Sequence, residues 1–154
     1  GIYEVVYNNS NLKDDRFYIN GAESFTFAND TVTASYTAAV GKALDDVNAT
    51  DENDVELDPV VVISGLKTNE KNQIKAQAAS LLQSTDWYVV RNAESSTAIP
   101  ANVSTYRAAV RTKSNEMETA IDGAASAEAL EALFTYTTGA DDVTSRPLGE
   151  WPKL

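Results

Sequence analysis

Apolar and polar residues alternate through the first third of the chain and change to a helical period after about residue 65. Three early runs are rich in β-branched and aromatic residues: Ile2-Tyr3-Glu4-Val5-Val6-Tyr7, Arg16-Phe17-Tyr18-Ile19 and Ala22-Glu23-Ser24-Phe25-Thr26-Phe27. That composition suits a pleated, half-buried surface. Asn20-Gly21 predicts a hairpin between the second and third runs, because a type I′ turn needs positive φ at both central residues, which Asn tolerates and Gly accepts freely. Phe17 would then share a face with Ile19, and Phe25 with Phe27. Val32, Ala34 and Tyr36 continue the alternation after an Asn29-Asp30 turn and add a strand with one buried face. The unbroken run Pro59-Val60-Val61-Val62-Ile63 predicts a strand covered on both sides, the most central of the sheet.

From Thr68 the period is 3.6: Ile74, Ala78, Leu81 and Leu82 share one face, with Lys71, Gln73 and Lys75 on the wet side. Thr68 or Asn69 is the expected cap, and Glu70 complements the first-turn dipole. A second helix starts near Pro100 and buries Val103, Tyr106, Val110, Met117 and Ile121, with Gly123 as its stop. Ser126 caps a short third helix carrying Glu128, Leu130, Leu133 and Phe134. Strands and helices are thus segregated, which predicts an α+β fold: an N-terminal antiparallel sheet, then an antiparallel helical pair with a short third helix. The expected organisation is a β-rich lobe over 1–65, a helical region over 66–138, and a tail over 139–154 that is extended unless Trp151 docks it.

Charge narrows the function. Lys and Arg number 12 against 23 Asp and Glu, a net charge of −11, and a field of that sign repels phosphate backbones, so nucleic acid is not an expected partner. No apolar run is long enough to span a bilayer and the start lacks a signal-peptide pattern, which predicts a cytosolic protein with no membrane partner. The absence of Cys and His removes disulfides, thiolate metal sites, the usual zinc ligand and the usual near-neutral base.

The acids concentrate in the segment 45–58, which holds Asp45, Asp46, Asp51, Glu52, Asp54, Glu56 and Asp58 and no base. Such a run repels itself and predicts a solvated, mobile loop. Counted from Asp51, it puts Glu56 and Val62 where a calcium loop requires Gly and Glu, so no metal site is expected. The acid pairs Asp45-Asp46 and Asp141-Asp142 lack a context that would separate their pKa values, and no nucleophile motif accompanies them. A non-catalytic protein without a cofactor is the expectation. Arg107 and Arg111, four apart, can form a guanidinium ladder that grips carboxylates, or can pair with local acids such as Asp86 or Glu94. Tyr3, Tyr7, Tyr18, Tyr36 and Phe25 can line a binding face on the sheet, although most are expected in the core.

One stretch carries a more specific pattern: Ala79-Ser80-Leu81-Leu82-Gln83-Ser84-Thr85-Asp86-Trp87, then Arg91, Ile99-Pro100 and Tyr106-Arg107-Ala108-Ala109-Val110-Arg111. It resembles phage tail assembly chaperones, including the tail fibre assembly group, across about a quarter of the chain. The resemblance implies a protein that binds tail or tail fibre polypeptides and assists their folding or assembly in the host cytoplasm. Its signature residues are Asp86, Trp87, Arg91, Tyr106, Arg107 and Arg111. The alternative is a structural component of the virion, in the tail, fibre, baseplate or neck; self-association into a homo-oligomer fits either. On physical grounds Thr85-Asp86 would end the first helix. Trp87 would plug the gap where the helices diverge, a buried position whose truncation costs about 3–5 kcal/mol.

Overall fold

The change of hydrophobic period is where strands give way to helices. A computed structural model describes residues 2–154. Seven strands come first: β1 (Glu4–Asn8), β2 (Tyr18–Ile19), β3 (Glu23–Ala28), β4 (Thr31–Tyr36), β5 (Val40–Gly41), β6 (Val47–Asn48) and β7 (Val62–Ile63). Four helices follow, α1 (Leu66–Gln83), α2 (Asp86–Ser95), α3 (Ala101–Asp122) and α4 (Ala127–Phe134), and a small hairpin of β8 (Thr137–Thr138) and β9 (Thr144–Ser145) lies in the tail. The fold is α+β, with a sheet of order β1-β4-β3 ahead of the helices and α1 packed on α3.

The sheet departs from a plain antiparallel meander. β3 and β4 form the expected hairpin, and its two-residue loop Asn29-Asp30 has φ of 50° and 58°, the conformation a type I′ turn demands. β1, however, runs parallel to β4, in register from Glu4 with Thr31 to Asn8 with Ser35. The Asn20-Gly21 hairpin does not form; β2 pairs with β5 instead. Asn20 turns its amide inward, accepting from the Lys13 amide at 2.9 Å and donating to the Asp15 carboxylate at 2.6 Å, which closes the loop before β2. Gly21 is needed because Thr37 leaves no room for a Cβ there. Phe17 and Tyr18 are buried while Ile19 is exposed, so Phe17 and Ile19 do not share a face.

Val60-Val61-Val62-Ile63 is likewise not a central strand. Only Val62–Ile63 pairs, with β6, and all four side chains are exposed because no layer covers this two-stranded arm. The acidic segment inside the arm is patterned rather than irregular. Thr50 bridges to Glu56, and Asp51 accepts the amides of Asn53 and Val55 at 2.8 and 3.0 Å, which hold its carboxyl below the ordinary aspartate range. Asp46 reaches further and accepts the Gly65 amide at 2.8 Å. Since Gly65 is the residue before α1, an aspartate from the acidic segment serves the helix N-terminus, where Thr68 or Asn69 was expected to. Gly65 is required by its close approach to the Asp45 backbone.

The core follows the helical stripes. Ile74, Met117, Ile121 and Leu130 meet Phe17, Tyr18, Leu66 and Leu148 in the main cluster, and Ala78, Tyr106 and Val110 form a second one toward the other end of α1. Val103 is buried as well. α1 and α3 are antiparallel: Lys71 meets Asp122 at 2.7 Å and Lys75 meets Glu118 at 3.5 Å, so successive turns of one pair with preceding turns of the other. Ser126 caps α4 by accepting the Ala129 amide. The tail is docked, because Leu148 is buried and Trp151 packs on both clusters and donates its indole N–H to the side-chain Oε1 of Gln77 at 2.9 Å.

Glu70 does not sit free in the first turn. It is 2% exposed and takes a two-pronged contact from Arg16, Nε to Oε1 at 2.8 Å and Nη2 to Oε2. Arg16→Ala would strand this carboxylate and is expected to cost about 3 kcal/mol, whereas Arg16→Met with Glu70→Leu recovers most of the loss. Denaturant unfolding of the single and double variants checks this. A second prediction concerns Asp46, whose folded pKa is depressed chiefly by the Gly65 amide. A depressed carboxyl stabilises the fold above its unfolded pKa and loses that effect as pH falls through the folded value. The stability gap between wild type and Asp46→Ala should therefore be constant near neutrality and shrink in acid, below the ordinary aspartate range; unfolding midpoints measured against pH test it.

Candidate functional site

The residues of the signature gather at the far end of α1. There Thr85 interrupts the helix, with φ −114° and ψ 1°, and its hydroxyl donates to the Leu82 carbonyl at 2.8 Å. Thr85 is buried, so its oxygen needs a second partner, and Arg107 of α3 supplies one. Arg107 Nη1 lies 2.6 Å from Thr85 Oγ1, 2.9 Å from the Leu82 carbonyl oxygen and 2.9 Å from Asp86 Oδ1. A single guanidinium thus ties the end of α1, the start of α2 and the middle of α3 together. Tyr106, its neighbour, is buried against Ala78 and Val110.

This arrangement separates the signature into two sets. Asp86, Tyr106 and Arg107 are engaged within the fold, and Arg107 and Arg111 form no outward ladder. Arg107 faces in, paired with Asp86, while Arg111 is exposed and donates to the Arg107 carbonyl at 3.3 Å. Trp87 is not a buried plug. It is 51% exposed, because α1 ends at Thr85-Asp86 as expected but α2, a helix with no buried residue, starts there at once. The ring of Trp87 lies 4.0 Å from that of Tyr88, and the Arg91 guanidinium sits 4.7 Å above Trp87 and 5.3 Å above Tyr88. Arg91 Nε is shielded by these rings and has no hydrogen-bond partner. Val89 and Val90 beside it are exposed.

α2 was not expected from the sequence. Asp86–Ser95 has no buried stripe to give it a helical period, and the only available signals were Asp86 in its first turn and the absence of Pro and Gly. The result is an apolar and aromatic helix with one stacked cation, held at its base by a buried network and open along its length.

A surface hollow of about 530 Å³ is a shallow shelf on α3 lined by Thr112, Asn115, Glu116, Thr119 and Ala120. Among the described residues no group of acids is placed to hold a metal ion, and no helix is long and apolar enough to cross a membrane. Tyr3, Tyr7 and Phe25 are exposed on the sheet, Tyr18 is buried, and Tyr36 is half-buried with its hydroxyl 3.3 Å from Glu23.

Trp87→Ala should therefore cost less than about 1 kcal/mol. Arg107→Ala removes the donor to the buried Thr85 oxygen and the packing of a buried side chain, and should cost about 2–3 kcal/mol. Chemical denaturation of both variants checks the order; a larger loss at Trp87 would mean that α2 is packed on the body in solution. The chain matches no protein-family model, no curated protein and no solved structure.

Proposed function

We propose that this is a non-catalytic binding protein of the phage tail assembly chaperone type, which uses α2 to hold tail or tail fibre polypeptides as they fold or assemble. The observation that carries the reading is α2 itself. A helix that buries none of its residues yet exposes Trp87, Val89 and Val90 gains nothing from them in the free protein, and a large aromatic at such a site is the usual anchor of a protein interface. The Arg107 network fixes the base of the helix, so little ordering is lost when a client docks. Arg91 adds a cation stacked on the Trp87 and Tyr88 rings, suited to a client carboxylate or carbonyl next to an apolar side chain. Net charge of −11 keeps a complex soluble while aggregation-prone strands find their partners.

Co-expression tests it. With the wild-type chain, the soluble yield of a tail or fibre protein encoded alongside should rise without nucleotide or metal. Trp87→Ala with Arg91→Ala should reduce the co-purified client by about tenfold, the loss typical of an interface anchor, while circular dichroism stays unchanged. Equal client yield with and without the wild-type chain overturns the chaperone reading. Stoichiometric presence of the chain in purified virions, measured by mass spectrometry, would place it instead among the structural components.

A further inference from the structure

The register across β4 aligns Val5 with Val32 and Phe27, and Tyr7 with Ala34 and Phe25. Residues opposite one another in a ladder project to the same side, so these six make one apolar face. Tyr3 extends it, its ring edge-on to Phe27 at 4.8 Å. The reverse side presents Ser24, Thr26, Thr31, Thr33 and Ser35 with Glu4, Asn8, Val6 and Ala28, and is mainly polar. A sheet of this kind is half of a two-layer structure, because its apolar side has to be covered by something. Among the described residues only its centre is covered: Ala34 is buried, but Tyr7 and Phe25 are each 62% exposed, and no residue of β1, β3 or β4 belongs to either core cluster.

We propose that a second copy of this chain covers the face, sheet against sheet. The shape of the face favours itself as partner. Ala34 of its central strand is fully buried, so the outer strands present the rings of Tyr7, Phe25 and Phe27 as a nearly flat apolar surface and not as an open groove. Two such surfaces can pack face to face about a two-fold axis, at the spacing of about 10 Å usual for packed sheets. The area also suffices. Four aromatic rings about half exposed, at roughly 200 Å² each, together with Val5 and Val32 give about 500–600 Å² per copy. The pair then buries about 1,000–1,200 Å², the lower bound for a specific interface, which corresponds to a reversible dimer. Glu23 at one end is the only charged residue on the face, so the repulsion between two chains of charge −11 is not concentrated at the contact. That repulsion acts across the rest of the surface and is screened by salt, so association strengthens as salt rises.

Sedimentation of the full chain from about 5 to about 200 μM, the range in which an interface of this size associates, tests the proposal. The expected result is a shift from 16.6 kDa toward twice that mass, more complete in high salt. Phe25→Glu and Tyr7→Glu, both at exposed positions, should each weaken association by at least about tenfold with the helical circular dichroism unchanged. Trp87→Ala should leave it unaltered, which separates this surface from the client site on α2. A wild-type chain that stays at 16.6 kDa throughout, or a dimer indifferent to both substitutions, overturns the proposal. If the chain stays monomeric and Phe25→Glu abolishes client capture on co-expression, the face belongs to the client.

Discussion

A buried carboxylate has to be met by a cation, and in this protein that requirement joins the two ends of the fold. Glu70 lies on the core side of α1, and Arg16, 54 residues earlier, is the side chain that satisfies it. The guanidinium also lies against two neighbouring rings, 4.3 Å from that of Phe134 and 5.1 Å from that of Phe17, so the pair draws α4 and the chain before β2 onto α1 together. Phe17 and Tyr18 then enter the helical core, β2 takes β5 as its partner, and Gly41 of β5 comes against Ala127 so closely that a Cβ would collide. Removing the cation would undo this sequence from its start.

The same logic operates at the other end of α1. Glu70 and Thr85 are separated by about 22 Å of helix at 1.5 Å per residue. At Thr85 it is Arg107 that satisfies buried oxygens, and what it immobilises is the root of α2. Two arginines therefore divide the molecule: one fixes the β-rich lobe to the body, the other fixes the outward helix. Both work by leaving polar atoms nowhere else to bond, which makes the positions specific in a way that the apolar contacts of Met117 or Ile121 alone are not. The exposed apolar surfaces lie beyond these anchor points, on β1-β4-β3 and on α2.

The helical half was legible because its residues carry their own period: Ile74 and Ala78, then Val103, Tyr106, Val110, Met117 and Ile121, are buried as their spacing requires. The Ser126 cap was legible for the same reason, being a local hydrogen bond. What could not be read were pairings between distant residues. Nothing near Glu70 announces Arg16, and nothing near Gly65 announces Asp46. Alternation in β3 and β4 gave the two faces of the sheet correctly but is silent on whether a layer covers the apolar one. The run of valines before Ile63 misled for that reason, since continuity indicates burial only where two layers are present to supply it. At the signature, residue types separate one role but not the other: Arg107 makes the local pair with Asp86 that its spacing allowed, and not an outward grip, whereas Trp87 is exposed where a buried plug is expected.

Two unsatisfied surfaces on one small chain have a joint consequence. If the sheet is closed by a second copy, each particle carries two α2 helices on bodies made rigid by the Arg16 and Arg107 contacts. A client chain with repeated apolar segments then meets its second helix as an intramolecular event, so its hold is governed by the spacing between helices and not by the strength of either alone. Weak individual contacts become an advantage, because each can release while the other retains the chain, which lets an assembling polypeptide rearrange without being lost. A helix as small and open as α2, with a single stacked arginine and one tryptophan, is suited to contacts of that strength.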